Sequence, residues 1–530
     1  MAILADKTRE ELLKVLPGEL PPASEAIINQ IEELEAKVEW FEEQHRLALH
    51  RQFGPSSEPT PVGQEALLFN EAEAVAQPRL PEPTVETITH TRRKVKGHRE
   101  AQVANLPVKE IDYRLPEEEQ VCPECSGALH EMGVEVRQEI QIVPATITLV
   151  KHNRFKYACR HCQQEETTTP IVTATMPNPA FPNSVASPSA VAHIMTQKFV
   201  ESQPLYRQEQ HWQREGIDIS RQTMANWMIR GAEMLADIYD AMRIALLKLD
   251  IVHADETTLQ VLKEPGRAAQ TDSYMWLYRS GREGPPMALF EYQPGRAGQY
   301  PKRFLEGFKG YLQVDGYEAY GQVANAILVG CWAHARRKFM DALKAMPKSP
   351  KKAGAAVVAE LGLQYCNTLF SIEGDLHDVT HRERFEGRQA RSKPVLDQFK
   401  AWLDDQANRT LPKSAVGQAI TYCRNQWDKL TVFLTDGRLE LDNNRSERSI
   451  KSFVVGRKNW LFANTPKGAK ASAIIYSIVE TAKENGLRPH AYLTFLFEQL
   501  PNIDRQDPKA IEALMPWAEH VQAELKSRAN

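Results

Sequence analysis

Three acids far apart along the chain, Asp255, Asp315 and Glu447, stand where carboxylates can hold divalent metal. Asp255 lies inside the apolar run Ile251-Val-His-Ala-Asp-Glu-Thr-Thr-Leu-Gln-Val261, and Asp315 closes Gly310-Tyr-Leu-Gln-Val-Asp315. A lone buried aspartate is costly, and a pair repels unless cations neutralise it, so acids within or ending apolar strands suggest metal ligands. The alternative is that strand-end aspartates cap turns. Gly316 supports that for Asp315, and the place of Asp255 within its strand opposes it. A third acid is found in Leu439-Glu-Leu-Asp-Asn-Asn-Arg-Ser-Glu-Arg-Ser-Ile-Lys451, where Asp442 or Asn443 can cap a helix and Glu447 falls one turn inside. Glu440 and Asp442 compete for the same ligand role. From Arg445 to Lys470 seven bases (Arg445, Arg448, Lys451, Arg457, Lys458, Lys467, Lys470) surround one acid, Glu447. Glu447 is then either a salt-bridge partner or a metal ligand set in a phosphate-binding strip.

A second chemistry is carried by Cys122-Pro-Glu-Cys125 and Cys159-Arg-His-Cys162, two CxxC knuckles separated by 33 residues with strand-like alternation between them. Four thiolates from two turns make the closed tetrahedral sphere of one structural Zn²⁺, so residues 101–170 read as a zinc ribbon. A redox dithiol needs one CxxC in a thioredoxin-like βαβ setting, which this segment lacks. Lys151, His152, Arg154, Lys156 and Arg160 give the ribbon a basic character compatible with DNA backbone contact.

The elements that must carry these residues are legible as changes of period. Beyond Asp250 the order is strand (Ile251 to Val261), strand (Tyr274 to Tyr278), strand (Met287 to Tyr292), helix (Ala297 to Gly307), strand (Gly310 to Tyr317), helix, strand (Ala326 to Gly330). That is the order of an RNase H-like sheet, in which the first and fourth strands are neighbours. Upstream, Ser189–Val200, Pro204–Glu215 and Ser220–Leu235 read as helices. The last two are joined by Gly216-Ile-Asp-Ile219, and Ser220 is the N-cap. A short Gly-containing turn followed by Arg221, Gln222 and Thr223 fits a helix-turn-helix whose first side chains enter a major groove; an ordinary helical hairpin is the alternative. Nearer the N-terminus, Ile27, Ile31, Leu34, Val38, Phe41, His45 and Ala48 alternate spacings of four and three, the seam of a short coiled coil or else the apolar face of a packed helix. Six prolines between Gly54 and His90 mark a linker, and the run from Arg92 to Arg99 puts five bases into eight residues.

At roughly 150 residues per domain, 530 residues imply three or four folded units. With 42% hydrophobic and 25% charged residues and a mean hydropathy of -0.46, a wholly disordered, collagenous or integral-membrane chain is excluded. Sixty-five bases against 69 acids leave a net charge of -4, so any affinity for nucleic acid must come from local clusters. Seven cysteines, four of them paired in knuckles, favour a reducing compartment. With neither an export signal nor a spanning segment in view, the expected location is the cytoplasm, nucleoid-associated when DNA-bound, with no membrane partner.

The chain resembles the IS66-family insertion-sequence transposases, DDE enzymes with an RNase H-like core. The resemblance runs nearly end to end, through His50-Arg-Gln-Phe-Gly54, Leu68-Phe-Asn-Glu-Ala-Glu73, both knuckles, His253-Ala-Asp-Glu-Thr257 and Val314-Asp-Gly-Tyr317. It continues through Cys331-Trp-Ala-His-Ala-Arg-Arg-Lys-Phe339, Asp442-Asn-Asn-Arg-Ser-Glu-Arg448, Glu480-Thr-Ala-Lys-Glu-Asn-Gly-Leu487 and Ala513-Leu-Met-Pro-Trp517. It implies a multidomain α+β protein in which Asp255, Asp315 and Glu447 form a triad holding two catalytic Mg²⁺ ions, for which Mn²⁺ can substitute. The expected organisation is a helical zipper region (1–53), a Pro-rich basic linker (54–100), the ribbon (101–170) and a helical HTH-like domain (171–248). The RNase H-like core follows in two parts (249–339 and 437–490), interrupted by a helical insertion (340–436), and a C-terminal element (491–530) ends the chain. Cys331 and His334 fit a C/DxxH motif of related enzymes, with His334 an active-site or phosphate contact and Cys331 packing rather than ligating. Arg221, Gln222, Arg336, Arg337, Lys338, Arg445, Arg448, Lys451, Arg457 and Lys458 are expected to meet DNA. The implied activity is cleavage at element ends and strand transfer into target DNA by a homodimer or higher oligomer, with small accessory proteins of the same element as further partners. Two rival readings are a nuclease of the same fold without strand transfer and a non-catalytic zinc/HTH DNA-binding regulator.

Overall fold

The computed structural model describes residues 22–53, 147–158, 171–345 and 353–527, and the chain divides into two compact units. The four knuckle cysteines, the Pro-rich stretch and the basic run 92–99 lie outside the described residues. In the unit spanning 86–179, the described residues include an antiparallel ladder of β1 (Lys156–Ala158) and β2 (Ile171–Thr173), with Tyr157 opposite Val172.

In the other unit, α1 (Pro22–Phe53) is one continuous helix. The expected seam is not its buried face: Ile27, Leu34, Val38, Phe41 and His45 are exposed and Ile31 is half-buried, whereas the buried Ile28 and Leu47 lie outside that seam. Then come α2 (Pro188–Phe199), α3 (Leu205–Arg214) and α4 (Arg221–Leu246). Ser220 does cap α4, its hydroxyl accepting the Thr223 N–H at 3.2 Å, and the preceding turn uses Gly216 at φ +79°. α4 runs eleven residues past the expected Leu235 because Ile238, Met242 and Leu246 continue its buried stripe against the sheet.

The sheet has strands β3 (Ile251–Gln260), β4 (Asp272–Ser280), β5 (Ala288–Gln293), β6 (Gly310–Gln313) and β7 (Ala326–Val329) in the spatial order β5-β4-β3-β6-β7. The first three are antiparallel neighbours, while β6 pairs parallel to both β3 and β7. Between β5 and β6 lies α5 (Gln299–Phe304); between β6 and β7 the expected helix is a five-residue 3₁₀ turn, Glu318–Gln322. Strand alternation gives the sheet two faces. Asp255, Leu277 and Phe290 face α12 (Asn444–Trp460) and α13 (Pro466–Glu484), where Phe290 meets Phe453 and Tyr476. Trp276 and Tyr278 face the other way, Tyr278 stacking on Phe304 of α5 at 3.9 Å.

Between β7 and α12 the described chain is helical: α6 (Trp332–Ala345), α7 (Ala353–Asp375), α8 (His381–Gly387), α9 (Lys393–Ala407), α10 (Ala415–Asn425) and α11 (Trp427–Thr431). They form a second core in which Trp332 and Phe339 of α6 pack on Phe399, and Leu47 of α1 joins it. The chain leaves this core beside the point where it entered: Gly330 N–H donates to Lys429 O and Trp332 N–H to Leu441 O. The end of the chain packs as α14 (Pro489–Gln499), α15 (Pro508–Glu512) and α16 (Glu519–Ser527).

β5 is an edge strand, and α13 covers its free amides. Ser477 Oγ accepts the Phe290 N–H at 2.8 Å and Thr481 Oγ1 accepts the Ala288 N–H at 3.1 Å, all buried. A helix with hydroxyls at these two positions thus closes an edge that would otherwise present unpaired donors. Thr481→Val keeps the side-chain shape but strands the Ala288 N–H. It should lower stability by about 1–3 kcal/mol, seen as a lower urea midpoint with unchanged slope. An unchanged midpoint would show that Thr481 does not serve this amide.

Candidate active site

The acids reach one region because α12 is tied to β3 at both of its ends. At its start Asn443 is buried; its Nδ2 donates to Ala254 O at 2.9 Å, and its Oδ1 lies 3.0 Å from His253 Nδ1. The Asn443 N–H donates to Cys331 Sγ at 3.2 Å, and its carbonyl accepts the Glu447 N–H at 3.2 Å. Near the far end Arg457 donates to Thr257 Oγ1 and to Thr258 Oγ1 and O. Beyond α12, Ala463 N–H donates to Gln260 O in a parallel bridge. Burial pushes His253 down to about 4, so it is a neutral ring in the fold and fit for this junction.

Asn443 therefore occupies the N-cap position of α12 but makes no side-chain cap bond; Asp442 takes the local role, accepting the Asn444 N–H at 3.0 Å. Reading the sequence as helix-capping missed the long-range role of Asn443, since Asn before a helix is the ordinary signature of a cap. Of the neighbouring acids, Glu440 is held by Arg282 at 2.8 Å and Arg445 at 2.9 Å. Burial raises its pKa, but His253, Arg445 and Arg282 outweigh it and bring the carboxyl to about 2. Asp442 is pushed up to about 6 by burial, with Glu440 and Glu447 adding to it.

Asp255 is raised well above the ordinary aspartate range, first by burial, then by Glu256, Asp315 and Glu447. Acids from the central strand, its parallel neighbour and α12 thus act on one carboxyl. Asp315 follows β6; its Oδ1 accepts the Tyr317 N–H at 2.8 Å, and its carbonyl accepts Tyr422 Oη at 2.7 Å. It does brace the turn that Gly316 enters at φ +107°, while still adding to the charge at Asp255. Glu256 points to the opposite face, where Tyr320 Oη donates to it at 2.5 Å and Arg296 Nε at 2.8 Å.

Among the described residues, the one set of three Cys, His or carboxylate donors lying within 4.8 Å of one another is Cys331, His334 and Glu447. Asp255, Asp315 and Glu447 are more spread. The donor set is all oxygen, the ligand type Mg²⁺ takes, and a cation there would relieve the buried, repelled carboxyl of Asp255. His334, lowered by burial and then by Arg337, places Nδ1 4.0 Å from Glu447 Oε1.

The ten residues expected to contact DNA differ in their present partners. Arg337 lies 3.5 Å from Glu447, Arg336 donates to Asn367, Lys338 sits 5.7 Å from the Tyr422 ring centre, and Arg445 is bound to Glu440. Arg457 is spent on β3, as above. Arg448, Lys451 and Lys458 are exposed on α12. Arg221 and Gln222 are exposed at the start of α4, Arg221 beside Tyr206 and Glu209.

Comparison with known proteins adds the following. A family model described as the IS66 transposase family matches residues 183–471. Models for the zinc-finger binding domain of transposase IS66, for the IS66 C-terminal element, and one described as "Transposase C of IS166 homeodomain" match 119–163, 477–517 and 40–111. Similar relatives include the uncharacterized protein y4jD of Sinorhizobium fredii, 32% identical over 445 residues that cover 81% of this chain and 84% of the relative. Another is y4hP of the same organism, 29% identical over 413 residues covering 75% and 73%.

Asp255 has a folded pKa above its unfolded one, so its acid form favours the fold at low pH and this contribution is lost as pH rises above the ordinary aspartate value. Asp255→Asn cannot ionise. In magnesium-free buffer it should melt above wild type at pH 8, with the gap closing towards pH 4. A gap independent of pH would show that charge repulsion at Asp255 is not its cause.

Proposed function

The chain belongs to the IS66 transposase family, so it is a nucleic-acid enzyme with DNA as its partner and a zinc-finger domain, and from that premise we propose a DDE mechanism run by Asp255, Asp315 and Glu447. The strand order β5-β4-β3-β6-β7, antiparallel then parallel, supports an RNase H-like core interrupted by the helices from α7 to α11. The observation that carries the reading is the buried Asp255 carboxyl, raised by acids from two other elements. Mg²⁺ ions bound there, or Mn²⁺ in their place, would supply Lewis acidity at the scissile phosphate and lower the pKa of the attacking hydroxyl.

This chain's own residues provide the placement. Asp255 on β3 and Asp315 just after the neighbouring β6 would hold the ions, with Glu447 of α12 as the third ligand. His334 and Arg337 lie beside Glu447, where a phosphate oxygen would be bound. The exposed Arg448, Lys451 and Lys458 track the backbone along α12, while Arg445 and Arg457 work indirectly by holding α12 in position. In the first reaction a water oxygen attacks phosphorus at the element end, and the bond to the 3′-oxygen breaks, freeing a 3′-hydroxyl and leaving a 5′-phosphate. In the second, that 3′-hydroxyl attacks a target phosphodiester in line, so each P–O bond broken is replaced by one formed. The ribbon, whose four cysteines would hold one structural Zn²⁺, and the α3–α4 pair would recognise the ends.

Two ends must be paired, and the exposed Ile27, Leu34, Val38 and Phe41 of α1 support self-association through that helix. Val38→Glu with Leu34→Glu should then shift the sedimenting species to monomer; an unchanged mass would remove α1 as the interface. Asp255→Asn, Asp315→Asn and Glu447→Gln should each lower Mg²⁺-dependent cleavage and joining of cognate ends by at least about 100-fold. Arg448→Ala and Lys451→Ala should weaken binding to all sequences alike, each reducing the salt slope by about one. Nicking without joining, when pre-cleaved ends and target are supplied, would favour the nuclease. Full activity of the acid variants would favour the DNA-binding regulator.

A further inference from the structure

Cys331 ends the link from β7, and His334 lies one turn into α6, so both side chains meet the first turn of α12. Cys331 Sγ, a His334 ring nitrogen and a Glu447 oxygen lie within 4.8 Å of one another. His334 Nδ1 and Glu447 Oε1 are both buried without a hydrogen-bond partner, 4.0 Å apart. That is too long for a hydrogen bond, and two buried polar atoms left so are costly unless something binds between them. Around one tetrahedral ion with bonds of about 2.0–2.3 Å, neighbouring donors sit about 3.3–3.8 Å apart, so this set needs to close by at most about 1.5 Å.

Sulfur, imidazole nitrogen and carboxylate oxygen select a borderline, thiophilic ion over Mg²⁺, which takes oxygen ligands. Three protein donors leave the fourth position to water. We propose that Cys331, His334 and Glu447 form a second transition-metal site, distinct from the cysteine knuckles, that takes a divalent ion of the Zn²⁺ class and, when filled, withdraws Glu447 from the reaction. The site stands on its geometry; the withdrawal rests on the role given to Glu447 above. Two neighbours bear on it. Arg337, half exposed and 3.5 Å from Glu447 Oε2, has to swing towards solvent, while the Asn443 N–H donates to Cys331 Sγ but only partly offsets burial, which pushes the thiol up to about 12 until an ion takes its proton's place. Binding expels the thiol proton, so affinity falls as pH is lowered.

The test uses the full chain with its knuckles filled by one equivalent of Zn²⁺, then titrated with Co²⁺. A further equivalent should raise a thiolate-to-cobalt charge-transfer band in the near ultraviolet. That band should be missing in Cys331→Ser, which keeps an acceptor for Asn443, and in Cys331→Ala, with far-ultraviolet circular dichroism and knuckle zinc unchanged in both. Zn²⁺ beyond the first equivalent should lower Mg²⁺-dependent cleavage about tenfold in wild type and leave Cys331→Ser unaffected. No added band, or one that persists in both variants, overturns the site. A Cys331-dependent band with zinc-insensitive cleavage overturns the withdrawal while the metal site stands; the catalytic role of Glu447 is decided separately by Glu447→Gln.

Discussion

The junction at Asn443 is what the rest of the arrangement depends on. A single buried amide satisfies Ala254 O and His253 Nδ1 on the central strand, and the backbone of the same residue engages Cys331 and Glu447. Through it the strand that carries Asp255, the residue that opens α6 and the helix that carries Glu447 are fixed to one another. Each of these groups is buried, and a buried donor or acceptor left unmade costs about 1–3 kcal/mol, so the register of α12 on β3 is strongly specified. Arg457 and the Ala463 bridge repeat the constraint further along, which leaves α12 little freedom to slide.

Holding carboxylates this way works against stability. Asp255 is buried among acids that raise its pKa, and Asp442 is pushed up to about 6. Strain of this electrostatic kind is retained only where other contacts over-determine the fold, and here two apolar cores do so: one around the sheet with α4, α12 and α13, the other around Trp332, Phe339 and Phe399. Two neighbouring acids are paired locally. Glu440 has two guanidinium groups, and Glu256 is held by Arg296 and Tyr320 on the other face. What separates a ligand-like acid from a structural one is therefore its partners, not its residue type.

The helices between Ala345 and Asn444 lengthen the path from Asp315 to Glu447 without separating their ends. Entry and exit are hydrogen-bonded to each other at Gly330 and Lys429 and at Trp332 and Leu441. A long excursion between two such points costs only slowly increasing closure entropy, so the core tolerates it.

The sequence by itself determined the strands along the chain, because short runs rich in β-branched and aromatic residues, bounded by turn residues, mark Ile251 to Val261 and its successors. It also determined the start of α4, because Ser220 is a local cap, and the family, because motifs along nearly the whole chain agree. It could not determine that Asp255 and Glu256, adjacent in the chain, face opposite sides and meet different partners. Nor could it tell that Asn443 would ignore its own helix for a strand nearly two hundred residues earlier. The basic strip gave no sign that Arg445 and Arg457 are bound within the protein while Arg448 and Lys451 are exposed. Those outcomes belong to the tertiary structure: period and capping are local and visible in a short window, whereas the partner of a buried polar group is chosen by whatever distant atoms the packed core brings to it.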